Sequence, residues 1–565
     1  MTPTPVLTPA GTPADPVPSR PVPTGRRVLR VARSAAAGTA LVLGAVLVLF
    51  TLAGPERYTH LTPAAFLRIP IEGLVLLALI LVLPGRARSV TIVVAGVLLG
   101  LLSLIKILNI GFYTALARPF DPVLDWVLLR PAFGLVSSSL GTATAIAVTV
   151  GLGAVIIGVP VLMTFALRRF SRLALRHETA ATRGTAVLVA VWALCAALNL
   201  QIVPDLPIAS DSATGTVGEQ VALVRRDLHD GERFATDAAF DAYAGTPADK
   251  LLTDLRGKDV LFAFVESYGR DAVQNPALSP EINATLDDGT RRLQAAGFGA
   301  RSAFLTSPTT GGGSWLAHDT LLSGLWVNNQ QRSDTLLASG RTTLNSAFRR
   351  AGWRTMAVMP ANDRDWPEGA FFQYSDYYDS RNMGYRGPKF NYVPVPDQFT
   401  LAAFQRLARA PGHPPVMGEI PLVSSHAPWT PIPTMVGWDQ VGDGTVYSSM
   451  STADDPPDVV FRTSEKIKTA YRKSIQYSLN SLISYVETYG DDNLVLVFLG
   501  DHQPSPVVIG DNTSRDVPIT IVAHDRKVLD QVSGWGWQDG LRPQPKAPVW
   551  PMSAFRDRFL TAFGP

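Results

Sequence analysis

Five apolar stretches crowd into residues 35–203, at about 35–54, 64–84, 90–114, 141–167 and 184–203. Each is about long enough, as a helix, to cross roughly 30 Å of hydrocarbon. The competing reading, buried helices of a soluble domain, fails because five such runs in so short a stretch exceed what one core absorbs. Charge falls in alternate loops. Arg26, Arg27, Arg30 and Arg33 precede the first run, Arg86 and Arg88 lie between the second and third, and Arg168, Arg169, Arg172, Arg176 and Arg183 lie between the fourth and fifth. Arginine-rich loops stay cytoplasmic, so five crossings predict that everything after about Pro204 lies outside the cell. Residues 1–27, rich in Pro and Thr, cannot bury a core and are expected to form a disordered cytoplasmic tail. The pattern of charge followed by apolar residues begins only after that tail, which is not how a signal peptide is built.

The rest of the chain has a different character. Residues 1–204 carry 17 Lys and Arg against 6 Asp and Glu, a net +11, whereas residues 205–565 carry 33 against 41, a net −8. A basic, apolar first third followed by an acidic remainder is a poor nucleic-acid binder and suits a membrane anchor bearing an enzyme-sized domain. Cys195 is the only cysteine, which excludes disulfide scaffolds, thiolate zinc sites and iron–sulfur clusters. The expected domains are a tail (1–27), a five-helix transmembrane domain (28–204), a polar linker with some helix (205–257) and an extracellular α/β domain (258–565).

In that last domain, short β-branched and aromatic runs alternate with helical ones. Residues 259–266, 354–360, 415–426, 493–501 and 517–523 read as buried strands, and 343–352 and 466–490 as helices. Such alternation predicts a mostly parallel sheet covered by helices on both faces.

Ligands bind such sheets beyond the carboxyl ends of the strands. Polar residues in those places are Glu266 in FAFVESYG, His426 in LVSSHAPW, and Asp501 and His502 in LVFLGDHQP. They are oxygen and nitrogen donors suited to a hard or borderline metal ion. Asp-His beside a Gly at a buried strand end serves packing poorly, so it is the most specific of these signals. A nucleophile candidate is Ser314, which follows Gly311, Gly312 and Gly313 and opens a helical pattern, WLAHDTLLSG. Free N–H groups there attract an anion, and a metal on the hydroxyl would activate it. On the segment alone, an ordinary helix-capping serine is the favoured reading of Ser314.

A strand ending in Glu, a Ser opening a helix, Ser323-Gly324 about ten residues beyond, His426-x-Pro and a late Gly-Asp-His together resemble the alkaline phosphatase/sulfatase superfamily. With membrane helices first, the chain is most similar to lipoteichoic acid synthases and related phosphoglycerol transferases, over roughly residues 30–525. The resemblance implies Glu266, Ser314, Asp501 and His502 as metal ligands and Ser314 as catalytic nucleophile. It places His426, Trp366, Arg364 and His318 at the substrate. Two departures stand out. Ser314 is followed by Trp-Leu-Ala-His, with His318 where a formylglycine sulfatase has Arg, which speaks against that activity. Met359 or Pro360 and Glu368 fall where the synthases place a His and an Arg, leaving Trp366 in place and Arg364 as a substitute.

The resulting expectation is a metal-dependent phosphotransferase. It would act on lipid-linked phosphodiesters at the outer membrane face through a covalent phospho-Ser, with a phospholipid donor and a hydroxyl acceptor of the envelope. The cofactor would be one divalent ion, Mn²⁺ or Mg²⁺, with Zn²⁺ as alternative. Alternatives are a membrane-anchored phosphatase, phosphodiesterase or sulfatase-like hydrolase, and an inactive scaffold. Near the membrane, residues 117–133 (Arg118, Asp121, Asp125 and Arg130 among apolar residues) read as an interfacial segment, either a structural staple or a handler of lipid headgroups.

Overall fold

The structure is a computed structural model that describes residues 24–128, 133, 142–204, 206–390, 394–511 and 514–564, with the backbone alone for 24–37 and 128. The first 23 residues of the expected tail, and Arg130, lie outside the described residues. Two compact units result: Met1–Gly54, Phe66–Ser103 and Leu152–Ala213 form one, and Pro55–Ala65, Leu104–Gly151 and Thr214–Pro565 the other.

Three described helices are long and apolar enough to cross a membrane: Gly85–Leu116, Thr142–Arg176 and Glu178–Ala197. Two further apolar helical stretches, Gly38–Ala53 and Ile71–Val82, are shorter. The second expected span, 64–84, is helical over only those 12 residues, about 18 Å at 1.5 Å per residue. Pro63, Pro70 and Pro84 explain the shortening, since proline cannot donate the amide hydrogen bond that a helix interior needs. Within the first unit, Gly96 and Gly100 sit against Thr164 and Pro160. A Cβ on Gly100 would come 2.5 Å from Pro160 Cα, so two apolar helices approach at small residues spaced four apart.

The second unit is built on a nine-stranded sheet. Its strands in chain order are β1 (Asp259–Val265), β2 (Gly299–Thr306), β3 (Arg354–Met359), β4 (Asp376–Asp379), β5 (Val416–Leu422), β6 (Leu494–Gly500), β7 (Asp516–Ala523), β8 (Gln538–Asp539) and β9 (Val549–Pro551). Their spatial order is β8-β2-β7-β6-β1-β5-β3-β4, with β9 beside β2. β6, β1, β5, β3 and β4 are mutually parallel, while β7 runs antiparallel to both β6 and β2, and β8 antiparallel to β2. The expected mostly parallel sheet is therefore present, with β7 and the short β8 reversed.

Both faces of the sheet are buried. In β1, Leu261, Ala263 and Val265 enter one core cluster and Val260, Phe262 and Phe264 the other, the period-2 split of a strand covered on both sides. The helix Ser464–Tyr489 covers the first face through Ile467, Tyr471, Ile475, Leu479 and Leu482. The helices Ser314–Ser323, Leu344–Arg350 and Phe555–Ala562 cover the second.

The sequence reading placed five of the nine strands; β2, β4, β8 and β9 escaped it, as did helices Ser279–Ala295 and Asp397–Ala408. β2 (GARSAFLT) carries Arg301 and Ser302 and lacks a continuous apolar run. The stretch expected as a linker with some helix carries one long helix of 28 residues, Ser212–Ala239. Its buried positions, Ala213, Thr216, Gln220, Asp227, Phe234 and Ala238, recur at helical spacing but half of them are polar, so no continuous apolar stripe marks them.

Candidate active site

β1 delivers Glu266. Its N–H donates to Leu422 O of β5 at 3.0 Å, so sheet register extends one residue past the strand and fixes where the side chain begins. Ser267 then turns the chain sharply at φ 57°, a left-handed conformation that costs a β-carbon residue roughly 1 kcal/mol. Asp501 Oδ1 accepts the Ser267 N–H at 2.8 Å, and Tyr471 donates its hydroxyl to Ser267 O at 2.8 Å. Only glycine fits at the end of β6, because a Cβ on Gly500 would lie 1.8 Å from Tyr268 O. The two loops bearing Glu266 and Asp501 thus pass in contact.

Asp501 Oδ1 also accepts the His502 N–H at 2.7 Å, and Oδ2 lies 3.7 Å from His502 Nε2. His502 Nδ1 is 2.8 Å from Gln503 O. A carbonyl can only accept, so the proton belongs on Nδ1 and the lone pair on Nε2. That Nε2 is 3.4 Å from Glu266 Oε1 and 3.2 Å from Ser314 Oγ.

Ser314 arrives from the glycine tract. Gly311 (φ 74°) and Gly313 (φ 77°) adopt left-handed conformations, and a Cβ on Gly311 would meet Ala115 O at 2.0 Å. Gly313 occupies the helix cap and Ser314 is the first residue of Ser314–Ser323, whose cap has no side-chain hydrogen bond. The helix-capping alternative is therefore set aside: Ser314 Oγ instead donates to Glu266 Oε2 at 2.9 Å. The loop is stitched to its neighbour by Ser307 Oγ to Asp501 O (2.6 Å) and Gly311 N to Gln503 O (2.9 Å).

Ligand atoms of Glu266, Asp501 and His502 lie within 4.8 Å of one another, and all three residues are buried. Burial alone would raise Glu266, but the positive charge that His502 and His426 carry when protonated, with hydrogen bonds from Asp501 and Ser267, holds the carboxyl below its usual range. Burial and the charge of Glu266 push Asp501 well above the usual range. Two carboxylates this close cannot both stay ionised without a cation. Two carboxylates, one imidazole lone pair and one hydroxyl make an oxygen-rich set that fits Mg²⁺, Mn²⁺ or Zn²⁺.

His426 follows β5 and is half-buried. Ser425 Oγ donates to Glu266 O at 2.6 Å, tying its loop to β1, and His426 Nδ1 is 2.6 Å from Ala427 O. His318 lies one turn along the Ser314 helix, stacked on Phe264 with centroids 3.7 Å apart. Its Nδ1 is 2.8 Å from Glu419 Oε1. Glu419 is buried in mid-β5; Asn345 Nδ2 (3.1 Å) and the Tyr374 hydroxyl also donate to it. Sequence reasoning missed this group, although a lone carboxylate within the apolar strand VMGEIPL was the available signal. Trp366 packs in an aromatic cluster with Phe372, Tyr374 and Tyr377 at 5.7–6.1 Å. Arg364 is exposed, and no side-chain hydrogen bond joins it to the described residues.

No protein-family model and no curated protein matches the chain. Among solved structures, it is similar to the lipoteichoic acid synthase LtaP from Listeria monocytogenes (TM-score 0.36, 14% identity, 59% of this chain and 78% of that one). It is also similar to the Streptococcus pyogenes phosphoglycerol transferase GacH in complex with sn-glycerol-1-phosphate (0.33, 15%, 51% and 72%). A third is the C-terminal periplasmic domain of EptC from Escherichia coli in complex with Zn (0.36, 13%, 55% and 83%). At this level of likeness the functional reading rests on the geometry of the site.

Proposed function

We propose that the chain is a metal-dependent phosphotransferase with an alkaline phosphatase-like fold, acting on lipid-linked phosphodiesters at the outer face of the plasma membrane. The observation that carries this reading is Ser314 Oγ, placed at the head of a helix, 2.9 Å from Glu266 Oε2 and 3.2 Å from His502 Nε2. In this reading five helices cross the membrane, the arginine-rich loops are cytoplasmic and the domain after about residue 257 is extracellular.

Glu266, Asp501, His502 and Ser314 would hold one divalent ion, which when bound supplies positive charge against the phosphoryl oxygens and lowers the pKa of the serine hydroxyl. Ser314 Oγ attacks phosphorus, forming the Oγ–P bond and breaking the bond from phosphorus to the lipid alkoxide. The Oγ proton leaves along the hydrogen bond toward Glu266 Oε2, and His426 returns a proton to the alkoxide. The helix N-terminus behind Ser314 stabilises the added negative charge. An acceptor hydroxyl then attacks phosphorus and gives its proton to the neutral His426; the acceptor O–P bond forms, the Oγ–P bond breaks, and Ser314 Oγ takes its proton back from Glu266.

Turnover of bis(p-nitrophenyl) phosphate by the purified full chain tests the chemistry. Ser314→Ala should lower it by about 10³-fold or more, while Ser314→Thr, which keeps a hydroxyl, retains part. Full activity in Ser314→Ala would refute the reading. Release of phosphate from phospho-Ser314 by water, with no gain from any alcohol, would make it a hydrolase.

A further inference from the structure

A cavity of about 840 Å³ adjoins the glycine tract on the side away from the sheet core, lined by Thr309, Gly312, Gly313 and Trp315. Its opposite wall is Tyr113 and Leu116, the last turns of the 32-residue apolar helix Gly85–Leu116, and the turn that follows. The two walls touch at Gly311, whose missing side chain leaves room for Ala115 O. A polar space next to the candidate nucleophile thus begins where a helix of membrane-crossing length ends.

Four arginines and five carboxylates (Asp121, Asp125, Glu219, Asp227 and Asp230) line this cavity, and three of the arginines are paired. Arg118 pairs with both oxygens of Asp125 at 2.7 and 2.5 Å, Arg332 with both oxygens of Asp230 at 2.6 Å, and Arg226 with Asp227 at 3.6 Å. Arg515 has no carboxylate within salt-bridge distance among the described residues. Its one side-chain hydrogen bond is a long one, from Nη1 to Pro308 O at 3.4 Å. An arginine without a counter-ion in a cavity is an anion site in waiting, and guanidinium geometry matches phosphate. The cavity also continues into an apolar trench of about 780 Å³, with Leu124, Val127 and Gln330 lining both. Val123, Ala235, Ala238 and Ala239 line its apolar part, and Gln331, Asp334, Thr335 and Ser339 its polar part. Val127 is 48% exposed and Trp126 beside it 56%, so apolar surface is displayed outward at this level. The 117–128 segment is otherwise rigid: Asp121 Oδ1 accepts the N–H groups of Val123 and Leu124, and Asp125 that of Asp121.

We propose that the cavity receives the phosphate of a membrane lipid, with Arg515 as its anchor, Arg118 beside it, and the trench taking the adjoining acyl carbons. The lipid would enter beside the Ser314 loop directly from the bilayer surface. The phosphotransferase reading supplies the purpose of this site, but binding does not require Ser314 to react.

Calorimetric titration of the full chain in a neutral sugar detergent tests it, with dihexanoylphosphatidylglycerol as probe. Two further ligands each lack one half of that molecule: dihexanoylglycerol has no phosphate, and glycerol phosphate no acyl chain. The intact lipid should bind at least about tenfold tighter than either, and Arg515→Ala should weaken it about tenfold, the worth of one charge-assisted hydrogen bond. Arg515→Lys should restore part of the loss, and unchanged circular dichroism and thermal midpoint would show both variants folded. Unaltered lipid affinity in Arg515→Ala, or no binding by the unmodified chain, overturns the site. Equal affinity for glycerol phosphate identifies a soluble anion rather than a lipid, and equal affinity for dihexanoylglycerol removes the phosphate; either result overturns the proposal. Ser314→Ala should bind the lipid undiminished. If that variant also turns over phosphodiester, the phosphotransferase reading falls while the lipid site stands.

Discussion

Glu266, Asp501 and His502 each lie one or two residues beyond a paired central strand, whereas Arg364 and Trp366 lie on a loop that carries only the 3-10 turn Pro367–Phe372. The first group inherits its position from the backbone ladder. Register between β1, β5 and β6 fixes each Cα; N–H groups of Ser267 and His502 then orient Asp501, and the hydroxyls of Ser267 and Ser314 orient Glu266. The second group takes its position from packing. Trp366 goes to three aromatic rings, and Arg364 to solvent. Chemistry that demands placement to within a few tenths of an ångström therefore belongs at the strand ends, and the loop has latitude to vary.

The largest effect should come from the strand-end group. Asp501→Asn is expected to strip bound metal from the purified chain and to lower phosphodiester turnover by about 10³-fold, comparable to loss of the nucleophile. Elemental analysis of a folded, metal-replete variant would break the distinction drawn here.

Next is Asp397, fully buried, which holds the segment before His426. It accepts the Ser424 N–H at 3.0 Å and the Ser478 hydroxyl at 2.6 Å, and burial pushes it up to about 6. A carboxyl raised in the folded state favours folding most when protonated. Its contribution is complete below about pH 4, the unfolded value, and is lost as pH rises through 6. Asp397→Asn should abolish a decline of about 3 kcal/mol between pH 4 and 7, read from denaturant midpoints across that range. An identical pH slope in the variant would refute the assignment.

Glu419→Gln keeps the shape of the group that holds His318 but removes its charge. A loss of about ten- to a hundredfold in kcat, with metal content unchanged, is the expected result, in line with other residues that orient a site from behind it. Replacement without kinetic effect would make the His318–Glu419 pair purely structural. On the loop, Trp366→Ala should cost about 2 kcal/mol of stability through lost ring packing, and Arg364→Ala less than about 0.5 kcal/mol. A larger kinetic than thermal effect at Arg364 would show that the loop closes on substrate, and would sharpen the comparison in the opposite sense.

The strand-end residues were legible because an apolar strand stopped by Glu or Asp-His is a local signal, and sheet geometry brings strand ends together wherever the order is parallel. The Ser314 loop was half legible. Its glycines announced unusual backbone, but whether the hydroxyl would cap a helix or point outward depended on Gly313 taking the cap. The Glu419 pair was not read because its partners, His318, Asn345 and Tyr374, are 101, 74 and 45 residues distant. The extent of helix Ser212–Ala239, expected only as some helix within a linker, was not legible because half of its buried positions are polar.

By itself, then, the sequence determined the apolar helices, the alternation of strand and helix, and the donor types at the strand ends, since each follows from periodicity and local propensity over a few residues. Tertiary structure decided which of those donors share one point, which arginine in the cavity lacks a counter-ion, and how much of the second expected span is α-helix. Those properties depend on distances between residues far apart in the chain and on where backbone hydrogen bonds end, and no local pattern encodes either.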